Sequence, residues 1–235
     1  MADIIVALDV SDASQALRLV DRLGPDLDFV KVGLELFTRE GPHVVRRLQD
    51  RDVRVFLDLK LHDIPNTVAA AVRAASELEV DLLTVHASGG RRMLEAAAGA
   101  RSGSLALLAV TVLTSLDPGE LGEAWGRAGG ATPSDEAPRL ARLAAECGID
   151  GVVASAWEAG TIRRAVGPTA SIVTPGIRLE GGEAHDQRRV ATPDRAVREG
   201  ATHLVLGRAV TAAEDPRAAL ESVRSQVASA VGGVR

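Results

Sequence analysis

The residues best placed to do chemistry are Asp58, Lys60 and Asp63, which follow the apolar run of residues 53–57. That run favours a β-strand, on which Asp58 and Lys60 project from the same face, roughly 6–7 Å apart along the chain. Two carboxylates beside one lysine stabilise its protonated form. Because burying such a group in a mere scaffold is costly, we interpret Lys60 as a stored proton for delivery to carbon. The segment alone leaves open a structural ion pair, with Asp63 as a turn residue.

The strand that carries this segment is predicted to end at a turn into a helix. Pro65 limits the strand, and Asn66 or Thr67 is predicted to cap the helix. A single helix is predicted over about residues 35–49, and Ser11 or Asp12 is predicted to cap the first helix. Seven further apolar runs predict strands, and helical segments separate nearly all of them: residues 4–9, 29–33, 82–86, 105–112, 151–154, 171–174 and 203–207.

Short apolar strands that alternate with helices are typical of a parallel sheet covered by helices. Eight such units in 235 residues predict an α/β fold, a (β/α)8 TIM barrel, as a single domain over residues 1–235. A doubly wound open sheet is the alternative. Its first strand usually leads into a Gly-x-Gly-x-x-Gly turn, whereas residues 9–12 here read Asp-Val-Ser-Asp. The sequence therefore favours the barrel.

Polar residues gather where the predicted strands end, which is where barrel enzymes place their active sites. Taken singly, a polar residue there is more often a rim residue than a catalytic one. For the histidine of this group, a role in satisfying backbone groups is favoured over catalysis. Six residues at one mouth nevertheless indicate an active site. They are Asp9, Lys31, Asp58, Lys60, His86 and Thr114.

The loops after the seventh and eighth strands predict a phosphate site, as is common in barrels. Gly207 lets the backbone approach an anion, and Arg208 offers a planar fork of donors. Gln187 could clamp the same group from its loop. The alternative is that Arg208 pairs with a surface acid. Loop 115–137 is long for a barrel connection and is predicted to be either a second lid or a surface insertion with its own short helix.

Composition argues against several kinds of partner. The formal net charge is −5 and no basic tract is present, so neither nucleic acid nor a membrane surface is expected to bind. Aromatic residues make up 2% of the chain, which leaves no platform for stacking bases. Cys147 is the only cysteine and is predicted to be a buried small hydrophobe, with no disulfide and no cysteine metal cluster. Met1 leads directly into a strand, so we expect a cytoplasmic chain.

Several segments together resemble the orotidine 5′-phosphate decarboxylase family of the free-standing microbial type. The block of residues 58–67 together with Gly207-Arg208 is the most specific part of the match. The resemblance implies a (β/α)8 barrel that decarboxylates orotidine 5′-monophosphate to uridine 5′-monophosphate, the last step of de novo pyrimidine nucleotide synthesis, with no metal and no organic cofactor. The matching segments appear in the family's order and run from end to end of the chain: residues 7–9, 31–37, 58–67, 112–115, 175–178, 186–187 and 206–208.

The resemblance also implies roles for individual residues. Lys60 would donate the proton to C6 of the pyrimidine, and Asp58 with Asp63 would complete a charged array that Lys31 joins. A homodimer with shared active sites is implied, in which one subunit lends three residues to the site of the other. The remaining implied contacts are with the substrate. By resemblance, Asp63, Ile64 and Thr67 reach the partner's site, Asp9 and Lys31 hold ribose hydroxyls, Thr114 contacts the pyrimidine, and Arg178, Gln187, Gly207 and Arg208 bind phosphate.

Three rival functions use the same residues. A magnesium-dependent sugar-phosphate enzyme of the same barrel superfamily would use Glu35 and Asp58 as metal ligands. A non-catalytic sensor of phosphate ligands would not need a complete charged array. A Schiff-base aldolase would need Lys60 as a free amine, which flanking carboxylates disfavour. Survival of activity in EDTA separates the decarboxylase from the magnesium enzyme.

Overall fold

The computed structural model of the protein describes residues 2–126, 132–179 and 190–232. Within these ranges eight parallel strands pair in sequence order, and β8 pairs with β1 to close a barrel. The predicted (β/α)8 barrel is confirmed. The strands are β1 (Asp3–Ala7), β2 (Phe29–Gly33), β3 (Arg54–Leu61), β4 (Leu82–His86), β5 (Ala106–Val110), β6 (Gly151–Val153), β7 (Ser171–Thr174) and β8 (His203–Leu206).

Helices lie between the strands and pack on the outside of the barrel. A short 3-10 turn, Ala87–Gly89, follows β4. The α-helices of the described ranges are α1 (Ala13–Leu23), α2 (Leu34–Glu40), α3 (Pro42–Gln49), α4 (Pro65–Ser76), α5 (Arg91–Ala100), α6 (Pro118–Ala124), α7 (Pro133–Glu146), α8 (Ala156–Val166), α9 (Pro193–Arg198), α10 (Arg208–Thr211) and α11 (Pro216–Gly232).

The single helix predicted over residues 35–49 is wrong. Gly41 separates α2 from α3 with a φ of 63°, a left-handed conformation that glycine adopts readily. Pro42 then begins α3, because a proline lacks the amide that an uninterrupted helix would need. The two helices therefore meet at a Gly-Pro junction.

Two predicted boundaries and caps also differ from the structure. Ile64 is the N-cap of α4 because Pro65 stands at the first helical position, and its apolar side chain makes no capping bond. The predicted caps Asn66 and Thr67 lie inside the helix. The first and fifth strands end two residues earlier than predicted, at Ala7 and Val110. At α1 the cap is Asp12, one of the two predicted residues, which accepts a hydrogen bond from the amide of Gln15. Within loop 115–137, α6 confirms a short helix.

Side chains of the strands divide into an inner and an outer set, as the two-residue period of a strand requires. The outer set packs against the helices in the larger core, and Cys147 is buried there as predicted. The inner set fills the barrel with a compact apolar cluster. This inner cluster consists of Ile5, Ala7, Phe29, Phe56, Leu82, Leu108, Val173 and Val205.

Strand β3 shows how the inner set positions the polar residues. Arg54, Phe56 and Asp58 are two residues apart, so they share the inner face at successive heights. Phe56 belongs to the buried inner cluster, which leaves Arg54 below it and Asp58 above it. In the described part of the chain, no helix combines the length and the apolar character needed to cross a membrane.

Candidate active site

Four predicted residues form an alternating row of charges at the carboxyl ends of three neighbouring strands. Lys31 Nζ lies 3.0 Å from Asp9 Oδ1 and 3.5 Å from Asp58 Oδ2. Lys60 Nζ lies 2.8 Å from the same Oδ2 of Asp58. The row forms because β1, β2 and β3 are adjacent in the barrel and present their inner side chains at the same end. We call these four residues, Asp9, Lys31, Asp58 and Lys60, the charged row.

Asp58 is the buried centre of the charged row. Its side chain is 12% exposed, against 66% for Asp9 at the end of the row. Burial by itself raises the pKa of Asp58, but the ammonium groups of Lys31 and Lys60 outweigh that effect and hold the pKa below its usual value. Asp58 is therefore ionised at neutral pH and gives both lysines a fixed counter-charge.

The backbone at Lys60 departs from a regular strand. Lys60 has a φ of 50°, in the left-handed region that residues with a side chain rarely occupy. The pairing of β3 with β4 shifts register between Leu57 and Leu61, which marks a β-bulge at this point. A bulge redirects a side chain, and here the Lys60 ammonium reaches Asp58 although the two residues are only two positions apart. The regular-strand geometry predicted for Asp58 and Lys60 is thus modified by the bulge.

A cleft of about 540 Å³ opens beside the charged row at the mouth of the barrel. The row lines the cleft on the side of β1 to β3. Phe56, Val110, Val153 and Val205 contribute its apolar floor. The predicted site residues that line the cleft are Asp9, Lys31, Asp58, Lys60, Thr114, Arg178, Gly207 and Arg208.

The residues predicted to bind phosphate lie across the cleft from Lys60. Arg178 follows β7, which is opposite β3 in a closed ring of eight strands, and Arg208 follows β8. Arg178 is 8% exposed, and its guanidinium donates to the carbonyl oxygen of Ile177 at 2.9 Å. Gly207 has open space where a Cβ would stand, so a ligand can approach its backbone. The prediction for Gln187 falls outside the described residues.

Three predicted residues stand apart from the cleft of this chain. Asp63, Ile64 and Thr67 are exposed at the start of α4. The carboxylate of Asp63 accepts a hydrogen bond from the amide of Ile64 at 2.6 Å, and among the described residues it forms no ion pair with Lys60. The expectation that Asp63 completes the array therefore has no counterpart within one subunit.

His86 lies at the end of β4 without lining the cleft. Its ring stacks on that of His62, with centroids 5.2 Å apart. Burial, followed by the nearby positive charges of His62 and Lys60, lowers the pKa of His86. His86 is therefore neutral near pH 7, and the structure gives it a stacking partner.

The rival metal site has a poor set of donors. Glu35 forms an exposed ion pair with Arg39 at 3.7 Å, and Asp58 is held by two ammonium groups. Across residues 2–126, 132–179 and 190–232, no three histidine, cysteine or acidic side chains are grouped so that they could hold a metal ion. Glu35 and Asp58 therefore do not form the magnesium site that the rival requires.

Two features of the sequence that point to this site were not used in the prediction. Thr84, on the inner face of β4, is fully buried and hydrogen-bonds both Asp58 and the backbone of Lys60. The sequence signal for Thr84 was a hydroxyl within a strand of mostly apolar residues.

The lysine content of the chain is a second signal. Lys31 and Lys60 are the only lysines among the 27 lysine and arginine residues of the chain. Lysine therefore occurs only where the charged row uses it.

Fold and site together define a class, the (β/α)8-barrel enzymes that act through charged side chains at the carboxyl ends of the strands. The model of the orotidine 5′-phosphate decarboxylase / HUMPS family matches residues 2–223, and the chain belongs to this family. This assignment confirms the resemblance described above.

Individual relatives agree with the family assignment. The chain is 52% identical over 232 residues to orotidine 5′-phosphate decarboxylase of Moorella thermoacetica, covering 95% of this chain and 91% of the relative. It is 51% identical over 228 residues to the enzyme of the same name from Sodalis glossinidius, covering 95% and 89%. The crystal structure of orotidine 5′-phosphate decarboxylase from Lactobacillus acidophilus superposes with a TM-score of 0.84 at 34% identity, covering 97% of this chain and 99% of that chain.

Proposed function

We propose that this chain decarboxylates orotidine 5′-monophosphate to uridine 5′-monophosphate, the last step of de novo pyrimidine nucleotide synthesis, as a carbon–carbon lyase. The observation that carries the proposal is the charged row facing a pair of arginines across one cleft. A nucleotide laid between them has its phosphate at Arg178 and Arg208 and its pyrimidine at Lys60. Family membership and relatives with about 50% identity support the same reaction.

Lys60 meets the main chemical demand of the reaction. Loss of carbon dioxide from C6 leaves a carbanion in the plane of the ring, without an adjacent π system to delocalise the charge. A preorganised ammonium in a site shielded from water stabilises such a localised charge and then donates its proton to C6. Asp58 holds this ammonium from one side at 2.8 Å, which leaves its other donors free to turn toward the substrate.

The other residues bind parts of the substrate distant from the breaking bond. Asp9 and Lys31 are assigned to ribose hydroxyls and Thr114 to the pyrimidine. Arg178, Gln187, Gly207 and Arg208 are assigned to the phosphate. Because phosphate lies far from C6, its binding energy is available to assemble the site rather than to stabilise the ground state alone.

We further propose that the chain acts as a single-domain cytoplasmic homodimer with shared sites, binding neither nucleic acid nor membranes. Leu34 and Ile64, after the neighbouring strands β2 and β3, are 53% and 66% exposed, which suits a surface that meets a second subunit. Asp63 stands beside Ile64 and has no lysine partner in its own chain's described residues. A partner subunit would bring Asp63 and Thr67 to the neighbouring charged row.

Subunit mixing tests the shared site. Lys60→Ala and Asp63→Ala homodimers are each expected to be inactive, but hybrids contain one site with both native residues. An equal mixture after subunit exchange should then recover about one quarter of wild-type activity. If Asp63 served its own subunit, the hybrids would be as inactive as the parents.

The reaction itself is tested by following the orotate-ring absorbance of orotidine 5′-monophosphate in excess EDTA. We expect rapid loss of absorbance with uridine 5′-monophosphate as the product. Activity that appears only with magnesium and a sugar phosphate would replace the proposal with the metal-dependent alternative. Nucleotide binding without any turnover would instead identify a sensor.

A further inference from the structure

Thr84 connects two members of the charged row, Asp58 and Lys60, without lining the cleft. Its hydroxyl donates to Asp58 Oδ1 at 3.0 Å and accepts a hydrogen bond from the backbone amide of Lys60 at 2.8 Å. The side chain is fully buried, and Thr84 is absent from the residues that line the cleft. One hydroxyl can make both bonds because it carries one donor and two acceptor lone pairs.

The bond to Asp58 sets the direction in which that carboxylate faces. Thr84 engages Oδ1, so Oδ2 is the oxygen that meets Lys60 at 2.8 Å and Lys31 at 3.5 Å. Without the hydroxyl, Oδ1 would be a buried acceptor lacking this donor, and the carboxylate could rotate about its terminal torsion, which is intrinsically soft. Rotation would move the counter-charge away from one or both ammonium groups.

The bond to the Lys60 amide stabilises an unfavourable backbone. Lys60 has a φ of 50° at the bulge between β3 and β4, so its amide does not follow the regular ladder of those strands. A left-handed conformation of a residue with a side chain costs on the order of 1 kcal/mol or more and persists only where its surroundings impose it. Thr84 supplies the acceptor for the displaced amide.

We infer that Thr84 is a positioning residue for decarboxylation, which fixes the rotamer of Asp58 and the backbone of Lys60 with a single hydroxyl. This inference rests on the proposed function. Thr84 acts through the two residues that it holds and makes no contact with the substrate. Its loss should therefore lower the rate of the chemical step and leave nucleotide binding nearly unchanged.

The test compares Thr84→Val with Thr174→Val. Both threonines are fully buried on barrel strands, but Thr174 Oγ1 has no hydrogen-bond partner in the described structure. We expect Thr84→Val to lower kcat roughly 10- to 100-fold, as the cost of leaving a buried carboxylate oxygen without its donor implies, with KM and product affinity within about twofold of wild type. Thr174→Val should leave kcat unchanged, and Thr84→Ser should restore most of the activity.

A second readout reports on the lysines directly. Because the chain has only two lysines, labelling lysine with 13C at Cε yields two side-chain signals, which Lys60→Arg assigns. Thr84→Val should shift the Lys60 signal, whereas Thr174→Val should shift neither. Removing the hydrogen bond to the carboxylate should also move the acid limb of the kcat profile to higher pH.

Several outcomes would overturn the inference. Thr84→Val with wild-type kcat and unshifted lysine signals would do so, as would equal losses in Thr84→Val and Thr174→Val. If Thr84→Val does not fold, Thr84→Ala removes the same hydroxyl without added bulk, and the same comparison applies. Inactivity of the wild-type protein toward orotidine 5′-monophosphate would contradict the proposed function before any variant is examined.

Discussion

The two ends of the barrel each carry a network of ion pairs, and the networks are built in opposite ways. At the mouth, one buried carboxylate, Asp58, stands between two lysines. At the base, one arginine, Arg54, stands between two aspartates, with Asp3 at 3.1 Å and Asp28 at 2.9 Å. The side chain of Asp58 is 12% exposed, whereas those of Asp3 and Asp28 are 40% and 63% exposed.

The difference indicates separate purposes for the two networks. Arg54 spreads its fork over two partners and lies 4.2 Å above the centre of the Phe29 ring, so it packs on the inner cluster while remaining partly in water. Burial by itself lowers the pKa of Arg54, but Asp28 and Asp3 together outweigh that effect and raise it, so the arrangement favours the charged side chain. Lysines are compact charges with rotatable donors, and around a buried carboxylate they are held ready for a ligand. We therefore propose that the network at the base stabilises the fold and that the network at the mouth acts in the reaction.

The largest expected effect comes from exchanging the cation at the mouth. Lys60→Arg keeps a positive charge beside Asp58, but a guanidinium stays protonated and cannot deliver its proton to C6. We expect both Lys60→Arg and Lys60→Ala to lower kcat by at least about a thousandfold. Steady-state absorbance assays measure the loss, and calorimetric titration with uridine 5′-monophosphate should show retained binding.

Thermal unfolding provides the control for these variants. Lys60→Arg keeps a charge beside Asp58 and should change the free energy of unfolding by less than about 1 kcal/mol, whereas Lys60→Ala leaves the buried Asp58 with Lys31 alone and should lose more. Retained decarboxylation in either variant would remove Lys60 from the role of proton donor and weaken the contrast between the two ends.

The matched exchange at the base should affect stability instead. Arg54→Met leaves Asp3 and Asp28 without their shared partner and removes the contact with Phe29. We expect a loss of about 1–2 kcal/mol in the free energy of unfolding, with kcat within about twofold of wild type. Arg54→Lys should lose less, since it keeps the charge but not the fork. Urea titration measures these values. A large fall in kcat at unchanged stability would show that the base takes part in catalysis.

The charged row at the mouth was easier to predict from sequence than the bulge and the hydrogen bonds that orient its side chains. Apolar runs reveal strands by their composition, and a barrel brings all carboxyl ends to one side, so Asp9, Lys31, Asp58 and Lys60 could be placed together in advance. The bulge at Lys60 could not, because register shifts depend on how β4 pairs with β3. The role of Thr84 could not be predicted for the same reason, because both of its hydrogen bonds cross from β4 to β3.

Glycine and proline residues in the sequence marked two helix boundaries that the prediction missed. The Gly41-Pro42 pair marks the break between α2 and α3, and Pro65 at the first helical position makes Ile64 the cap of α4. Asp63 illustrates a different limit. Its position in the chain is clear, but in the proposed homodimer it serves the site of a second subunit, and no pattern within one sequence reveals such a contact.

The smallest expected effect concerns one histidine at each end of the barrel. Burial is the main cause that lowers the pKa of His86 at the mouth and of His203 at the base; positive neighbours add to it, and negative neighbours, Asp3 for His203, oppose it. Below the usual histidine value of 6.5 the unfolded chain therefore binds more protons than the folded chain. The contribution of each histidine to stability is complete above pH 6.5 and is lost as the pH falls from 6.5 toward the folded pKa.

Replacing either histidine should flatten the dependence of stability on pH in this window. His86→Asn and His203→Asn, unfolded by urea at a series of pH values between about 5 and 7, should each lose less stability on acidification than the wild type. His62→Ala separates the two ends, because it removes a positive neighbour from His86 and leaves His203 untouched. His62→Ala should therefore reduce the loss of stability on acidification that arises from His86 and leave the loss that arises from His203 unchanged. An unchanged slope in His86→Asn combined with a flatter slope in His203→Asn would locate the acid-sensitive packing at the base.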